Sequence, residues 1–336
     1  MNLQDKKILV TGGAGFIGSE LCRQLRTAGA QVLIVDNLIN GKRENVTEIL
    51  DANCALEVAS ICNYARMEEL LRDVDVIFHL ACLGVRHSIH SPIENHQVNA
   101  EGTLHLLKMA RELGVQRFVY VSSSEVYGTA IHVPQPEDHP TWPMTVYGAS
   151  KLAGECYTRA FHRTYGYPTV VIRPFNTYGP RSHHEGDSGE VIPKFLLRTL
   201  AGKPMVVFGD GTQTRDFTYV GDTARGIIEA GLSDDSIGET INIGSGFELA
   251  INDLVKEVRA VTGRADAKIL HETQRPGDVL RLFADTTKAQ RLTGFKPTVT
   301  LREGLEKLLA WYLAQGKTPE QLLQSEIVKN WEVKPT

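Results

Sequence analysis

The stretch KKILVTGGAGFIGSELCRQLRTAGAQVLIVDN, running from Lys6 to Asn37, constrains the fold more than any other part of this 336-residue chain. Its apolar run at 7–11 predicts a buried strand, followed by a glycine turn, a helix to about residue 28 and a second strand at 31–36. Glycines at 12, 13, 15 and 18 satisfy both GxxGxxG and GxGxxG. That spacing permits a tight turn, close backbone approach to a pyrophosphate, and close packing of helix on strand. The helix N-terminus then faces the phosphates. Asp36 closes the second strand eighteen residues after Gly18, where a carboxylate accepts from a ribose 2′-hydroxyl and repels a 2′-phosphate. This favours NAD over NADP, although Lys42 and Arg43 in the following loop leave the second cofactor open.

The alternation continues. DVDVIFHLAC (73–82) reads as a strand, about 94–113 as a helix, RFVYVSSSEVYG (117–128) as a strand and turn, and PTVVIRPFNTYG (168–179) as a further strand. Apolar strands separated by helices predict an α/β fold with a doubly wound parallel sheet, ligands binding at the strands' carboxyl ends. The chain is long enough for two lobes. Its 36 basic and 40 acidic residues leave a net charge of −4, which argues against a nucleic-acid partner. Five cysteines without CxxC spacing suit a reducing cytoplasm. No stretch approaches the roughly eighteen apolar residues of a membrane span, and neither a signal peptide nor an anchor is expected.

Within TVYGASKLAGE (145–155), Tyr147 and Lys151 stand four residues apart on one helical face. A phenol, with a pKa of about 10, is a poor base at neutral pH. A nearby ammonium is expected to lower that value and let the oxygen take a proton from an alcohol. The alternative is an ordinary surface pair on a helix.

Taken together, TGGAGFIGSELCRQL, DVDVIFHLA, VNAEGT, VSSSEVYG, YGASK, RPFNTYGPR, GDGTQTRDFTYVGD and RPGD resemble, in family order, the extended short-chain dehydrogenases/reductases that act as nucleotide-sugar epimerases and dehydratases. The resemblance spans residues 7 to about 312. It implies a Rossmann-type NAD domain over 1–177, joined by parts of 215–246, and a smaller interleaved lobe over 178–336 that binds the nucleotide sugar. Cofactor contacts are carried over to Gly12, Gly15, Phe16, Ile17, Gly18, Asp36, Asn37, Leu80, Ala81, Asn99, Tyr147 and Lys151. The implied chemistry begins when Tyr147 removes a proton from a sugar hydroxyl, usually at C4, while hydride passes to tightly held NAD. Lys151 lowers the phenol's pKa and binds the nicotinamide ribose, and Ser123 shares the hydroxyl proton.

The fate of the resulting 4-keto sugar turns on Ser124 and Glu125. Related dehydratases use an Asp–Glu pair there, so Ser124 departs from the pattern while Glu125 keeps it. Decarboxylases of nucleotide-linked glucuronic acid carry Thr-Ser-Glu, and simple 4-epimerases usually have no acid at this position. Elimination of water or carbon dioxide is therefore the leading expectation, with 4-epimerisation second and a non-catalytic NAD-binding scaffold third. The resemblance also implies substrate contacts from Asn176, Lys194 and Phe208, with Arg215 and Arg275 on the diphosphate. Arginine suits that task because its planar fork donates two parallel hydrogen bonds. UDP-sugars are favoured, and a homodimer through the helices at about 94–113 and 148–165 is implied. His183 and His184 lack further ligands at suitable spacing, so no metal site is expected. SHHEGDSGE (182–190) reads either as a lid over the sugar or as a solvated loop. At 59–63, Ser60 stands where many relatives have an aspartate near the adenine.

Overall fold

The computed structural model describes residues 1, 3–186, 188–274, 279–329 and 331. The glycine-rich unit forms β1 (Lys7–Thr11), α1 (Phe16–Thr27) and β2 (Gln31–Asp36). The chain continues through β3 (Cys54–Val58), α2 (Tyr64–Leu70), β4 (Val76–His79), α3 (Val85–His90), α4 (Pro92–His96), α5 (Gly102–Glu112), β5 (Arg117–Val121), α6 (Val146–Tyr165) and β6 (Thr169–Pro174). Beyond these lie β7 (Asn176–Tyr178), α7 (Val191–Leu200), β8 (Met205–Phe208), β9 (Thr214–Arg215), β10 (Phe217–Tyr219), α8 (Val220–Leu232) and β11 (Thr240–Ile243). The remaining elements are β12 (Leu249–Ala250), α9 (Ile251–Thr262), β13 (Ile269–Glu272), α10 (Thr287–Thr293), α11 (Leu301–Leu313) and α12 (Pro319–Leu322).

Among the described residues, seven strands form one parallel sheet in the order β11, β6, β5, β4, β1, β2, β3. Strands β4, β5 and β6 are buried at every position, as a parallel sheet covered on both faces requires. The order reverses between β1 and β4, and there the carboxyl ends splay to leave a crevice. A second core gathers Phe195, Leu196, Met205, Val207, Leu254, Val258, Leu305 and Leu308. It lies among α7, α9, α11 and β8 and forms the lobe that faces that crevice.

Two elements differ from the sequence expectation. The run at 168–179 is not one strand: after Pro174 the chain leaves the large sheet, and β7 pairs with β10 instead. The helix expected over 94–113 is composite, with a π-helical stretch at Gln97–Glu101 between α4 and α5. Its wider turn brings Asn99 inward. There the amide accepts from Leu83 N at 2.8 Å and donates to Leu83 O at 2.9 Å and Ser150 Oγ at 3.1 Å.

Candidate active site

Small residues explain how α6 reaches the sheet. A Cβ on Gly154 would lie 2.3 Å from Tyr120 Oη, and one on Gly148 would lie 2.9 Å from Glu125 O. Only glycine lets the helix lie this close to β5 and to the turn at Ser124–Val126. Thr145 caps the first turn by accepting from Gly148 N at 3.0 Å, and Gly166 ends the helix in the left-handed region at φ 64. Tyr147, Lys151 and Glu155 then follow at four-residue steps along the face turned to the sheet.

The tyrosine hydroxyl sits among Ser123, Cys82 and Glu125. Burial pushes the Tyr147 phenol well above its ordinary value, Cys82 and Glu125 add to the rise, and a hydrogen bond from Ser123 opposes it. The expected lowering by Lys151 is therefore overturned in the protein by itself. Lys151 is fully buried, donates from Nζ to Val121 O at 2.6 Å and lies 4.5 Å from the Tyr120 ring centroid. Its ammonium is committed to β5, and burial lowers its own pKa. Desolvation of the phenol outweighs the shared helical face. Behind this group, buried His79 bridges Thr11 Oγ1 at 2.7 Å and Thr103 Oγ1 at 2.9 Å. Burial and the Lys151 charge hold that imidazole down at about 3.

One continuous cavity of about 870 Å³ collects every described candidate residue except Asn99. Asn99 lies behind its wall, fixing Leu83 of the lining to α6. Arg275 falls outside the described residues.

At one end of the cavity stands the glycine turn. Gly12 has φ 70, and a Cβ there would lie 2.7 Å from Ala81 N. A Cβ on Gly18 would lie 2.1 Å from Gly12 O, whereas one on Gly15 would meet only Gly12 O, at 3.1 Å, beside otherwise open space. No side chain caps α1, so the free N–H groups of its first turn face the cavity. Asp36 takes Ala14 N at 3.0 Å and Leu38 N at 2.8 Å, one on each oxygen. Each oxygen retains acceptor capacity for a ligand hydroxyl. Ser60 also lines this end. Replacing Gly18 by alanine is expected to cost about 1–3 kcal/mol of stability, because the methyl meets backbone that cannot rotate away; thermal denaturation measures it.

The opposite end belongs to the second lobe. Asn176 Oδ1 is buried without a hydrogen-bond partner among the described residues and lines the cavity. Lys194, Phe208 and Arg215 stand along the same wall, Arg215 held by Thr214 O at 2.8 Å and Val279 O at 2.7 Å. The described residues of the 182–190 segment are not uniformly solvated: Ser182 and His184 are buried, Ser188 is exposed, and Glu185 is paired with Lys42 after β2. Burial alone would raise the Glu185 carboxyl, but Lys42 and His184 bring it down to about 2. At the segment's end Glu190 faces the cavity, and burial pushes its carboxyl up to about 8. Among the described residues no group of three or more His, Cys, Asp or Glu side chains could hold a metal ion, and no helix is long and apolar enough to cross a membrane. Sequence reasoning missed Cys82, whose only signal was a cysteine just after a predicted strand end.

The family model described as GDP-mannose 4,6 dehydratase matches residues 9–308. UDP-glucose 4-epimerase of Mycolicibacterium smegmatis is 35% identical over 310 residues, which are 91% of this chain and 98% of that protein. UDP-glucuronic acid decarboxylase 1 of Arabidopsis thaliana is 34% identical over 310 residues, 90% of this chain and 69% of that protein. The crystal structure of the dTDP-glucose 4,6-dehydratase DesIV from Streptomyces venezuelae, with NAD and TYD bound, superposes with a TM-score of 0.86 at 33% identity, covering 92% of this chain and 97% of that one.

Proposed function

Since the chain belongs to the extended short-chain dehydrogenase/reductase family of nucleotide-sugar epimerases, dehydratases and decarboxylases, we propose that it oxidises a nucleotide sugar at C4 and then eliminates water or carbon dioxide from the 4-keto sugar. UDP-sugars are the favoured substrates. The observation that carries this reading is Glu125 in the cavity wall, close enough to Tyr147 to raise its phenol.

The glycine cradle, the uncapped start of α1 and the residual acceptors of Asp36 fit NAD, with Gly12, Gly15, Gly18, Asp36 and Lys151 among the residues that would hold it. NAD, when bound, would supply a positively charged ring and a hydride acceptor that gives the hydride back to the sugar after elimination, so that the net change is loss of water or carbon dioxide alone. Tyr147 accepts the C4 hydroxyl proton, and Ser123 hydrogen-bonds the same oxygen and orients it. The ketone then acidifies the neighbouring C5 position. If C6 bears a hydroxyl, Glu125 takes the C5 proton and passes it to the C6 oxygen, which departs as water while Ser124 hydrogen-bonds it. If C6 is a carboxylate, the β-keto acid loses carbon dioxide without a C5 base. Asn176 and Arg215 bind the diphosphate, the asparagine by donating from its amide nitrogen and the arginine through its fork.

A second reading, 4-epimerisation through the same ketone, is favoured by the 35% identity to a UDP-glucose 4-epimerase. Mass spectrometry after incubation with UDP-glucose, UDP-glucuronate and dTDP-glucose separates the two. Loss of the mass of water or carbon dioxide is expected; a product of unchanged mass with inverted C4 overturns the elimination reading.

A further inference from the structure

The family model ends at residue 308, yet the chain beyond it returns to the cavity. Leu322 and Leu323 are buried in the second core and fix the start of the return. Ser325 O then accepts from Gly186 N at 2.9 Å. Glu326 pairs with Arg198 at 2.8 Å, the two side chains 7% and 11% exposed. Ile327 O accepts from Lys194 Nζ at 2.8 Å, and Lys329 pairs with Glu272 at 3.3 Å. Trp331 packs edge-on to Phe208 with ring centroids 4.5 Å apart.

Three of these tethers end on residues that line the cavity, namely Lys194, Arg198 and Phe208, while Glu326 and Val328 line it themselves. Lys194 and Arg198 stand one turn apart on α7, so a single passing segment can hold both. Long cationic side chains lose substantial rotamer freedom when fixed. A buried ion pair such as Arg198–Glu326 contributes little net stability, because desolvation offsets the attraction. Placement of the cation is the better account of it. None of the tethers involves Ser123, Glu125 or Tyr147.

We propose that residues 325–329 and Trp331 form a strap that is part of the substrate site, holding Lys194, Arg198 and Phe208 in position to grip the nucleoside diphosphate end of the substrate. This rests on the nucleotide-sugar reading given above. The strap acts on binding of the part of the substrate that does not react, and binding there sets KM and the orientation of the sugar.

Three forms of the protein test it: the full chain, a chain ending after Leu323, and the double variant Glu326→Gln with Trp331→Ala. Calorimetric titration with UDP, dTDP and GDP is combined with the NAD content after gel filtration and with far-UV circular dichroism. The full chain is expected to bind one of these diphosphates. The shortened chain should bind it at least tenfold more weakly and the double variant three- to tenfold more weakly, with NAD content unchanged and turnover lost mainly through KM. A folded shortened chain, or a double variant, that binds the diphosphate as the full chain does overturns the proposal. Should the shortened chain not fold, the double variant decides. Should the full chain bind none of the three, the nucleotide-sugar reading fails first and the strap's role with it.

Discussion

Tyr147→Phe is expected to reduce turnover by roughly 10²–10⁴-fold, the usual worth of a positioned general base, while leaving the fold and NAD content intact. The ring of Tyr147 packs at the start of α6 and phenylalanine preserves that packing; only the oxygen facing Ser123 and Cys82 is lost. Reduced nicotinamide absorbance in a single turnover with a UDP-sugar is the measurement, and formation at the wild-type rate would remove Tyr147 from the reaction. The pH dependence has a defined sign. Because burial holds the phenol above its ordinary value, the basic form is scarce at neutral pH and grows as pH rises. The rate of the oxidation step should therefore climb with pH in the wild type, and the residual rate of the variant should not.

The second large effect falls on stability. Glu155→Ala is expected to destabilise the protein by about 3–5 kcal/mol, since it leaves Arg173 as an unmatched buried charge. Glu155 is fully buried and the Arg173 side chain is 3% exposed; Arg173 Nε and one terminal nitrogen reach its two carboxylate oxygens at 2.9 and 2.7 Å. The guanidinium also lies over the Tyr127 ring and donates to Glu137 O at 3.0 Å, so it has no route to water. Burial alone would raise the Glu155 carboxyl, but Arg173, Ser122 and Arg159 together lower it below its ordinary value. A lowered carboxylate contributes stability that is present above its unfolded pKa and lost as pH falls through the folded one. Urea denaturation at pH 7 should show the deficit, and acid titration should show it shrinking. A variant as stable as the wild type at neutral pH would mean that Arg173 finds another anion.

The parts of the molecule legible in the sequence are those whose physics is local. The expected strands at 7–11 and 31–36 match β1 and β2 residue for residue, because an apolar run, a glycine turn and a terminal acid all lie within one βαβ unit. The face shared by Tyr147 and Lys151 follows from helical spacing alone. What Lys151 does there does not, since its ammonium answers to Val121 O on another element. The surroundings of Asn99 were hidden for the same reason: a π-helical turn, invisible in spacing, directs its amide at Leu83. Arg173 was visible only as part of a motif, its partner Glu155 lying eighteen residues earlier on α6. The C-terminal segment offered no motif at all; its meaning arises only when the chain returns to Lys194, Arg198 and Phe208.

The hydrogen atom at Gly154, where any larger group would collide with Tyr120, has a consequence for what this chain can change. Seven residues of helix, about 10 Å at the usual rise, separate that contact from Tyr147. The glycine thus acts as a depth gauge: thickening it by one methyl would tilt the whole rod and draw the reactive oxygen off its mark. The loops of this chain's pocket can then change without moving the rod, so long as the seam between rod and sheet stays thin.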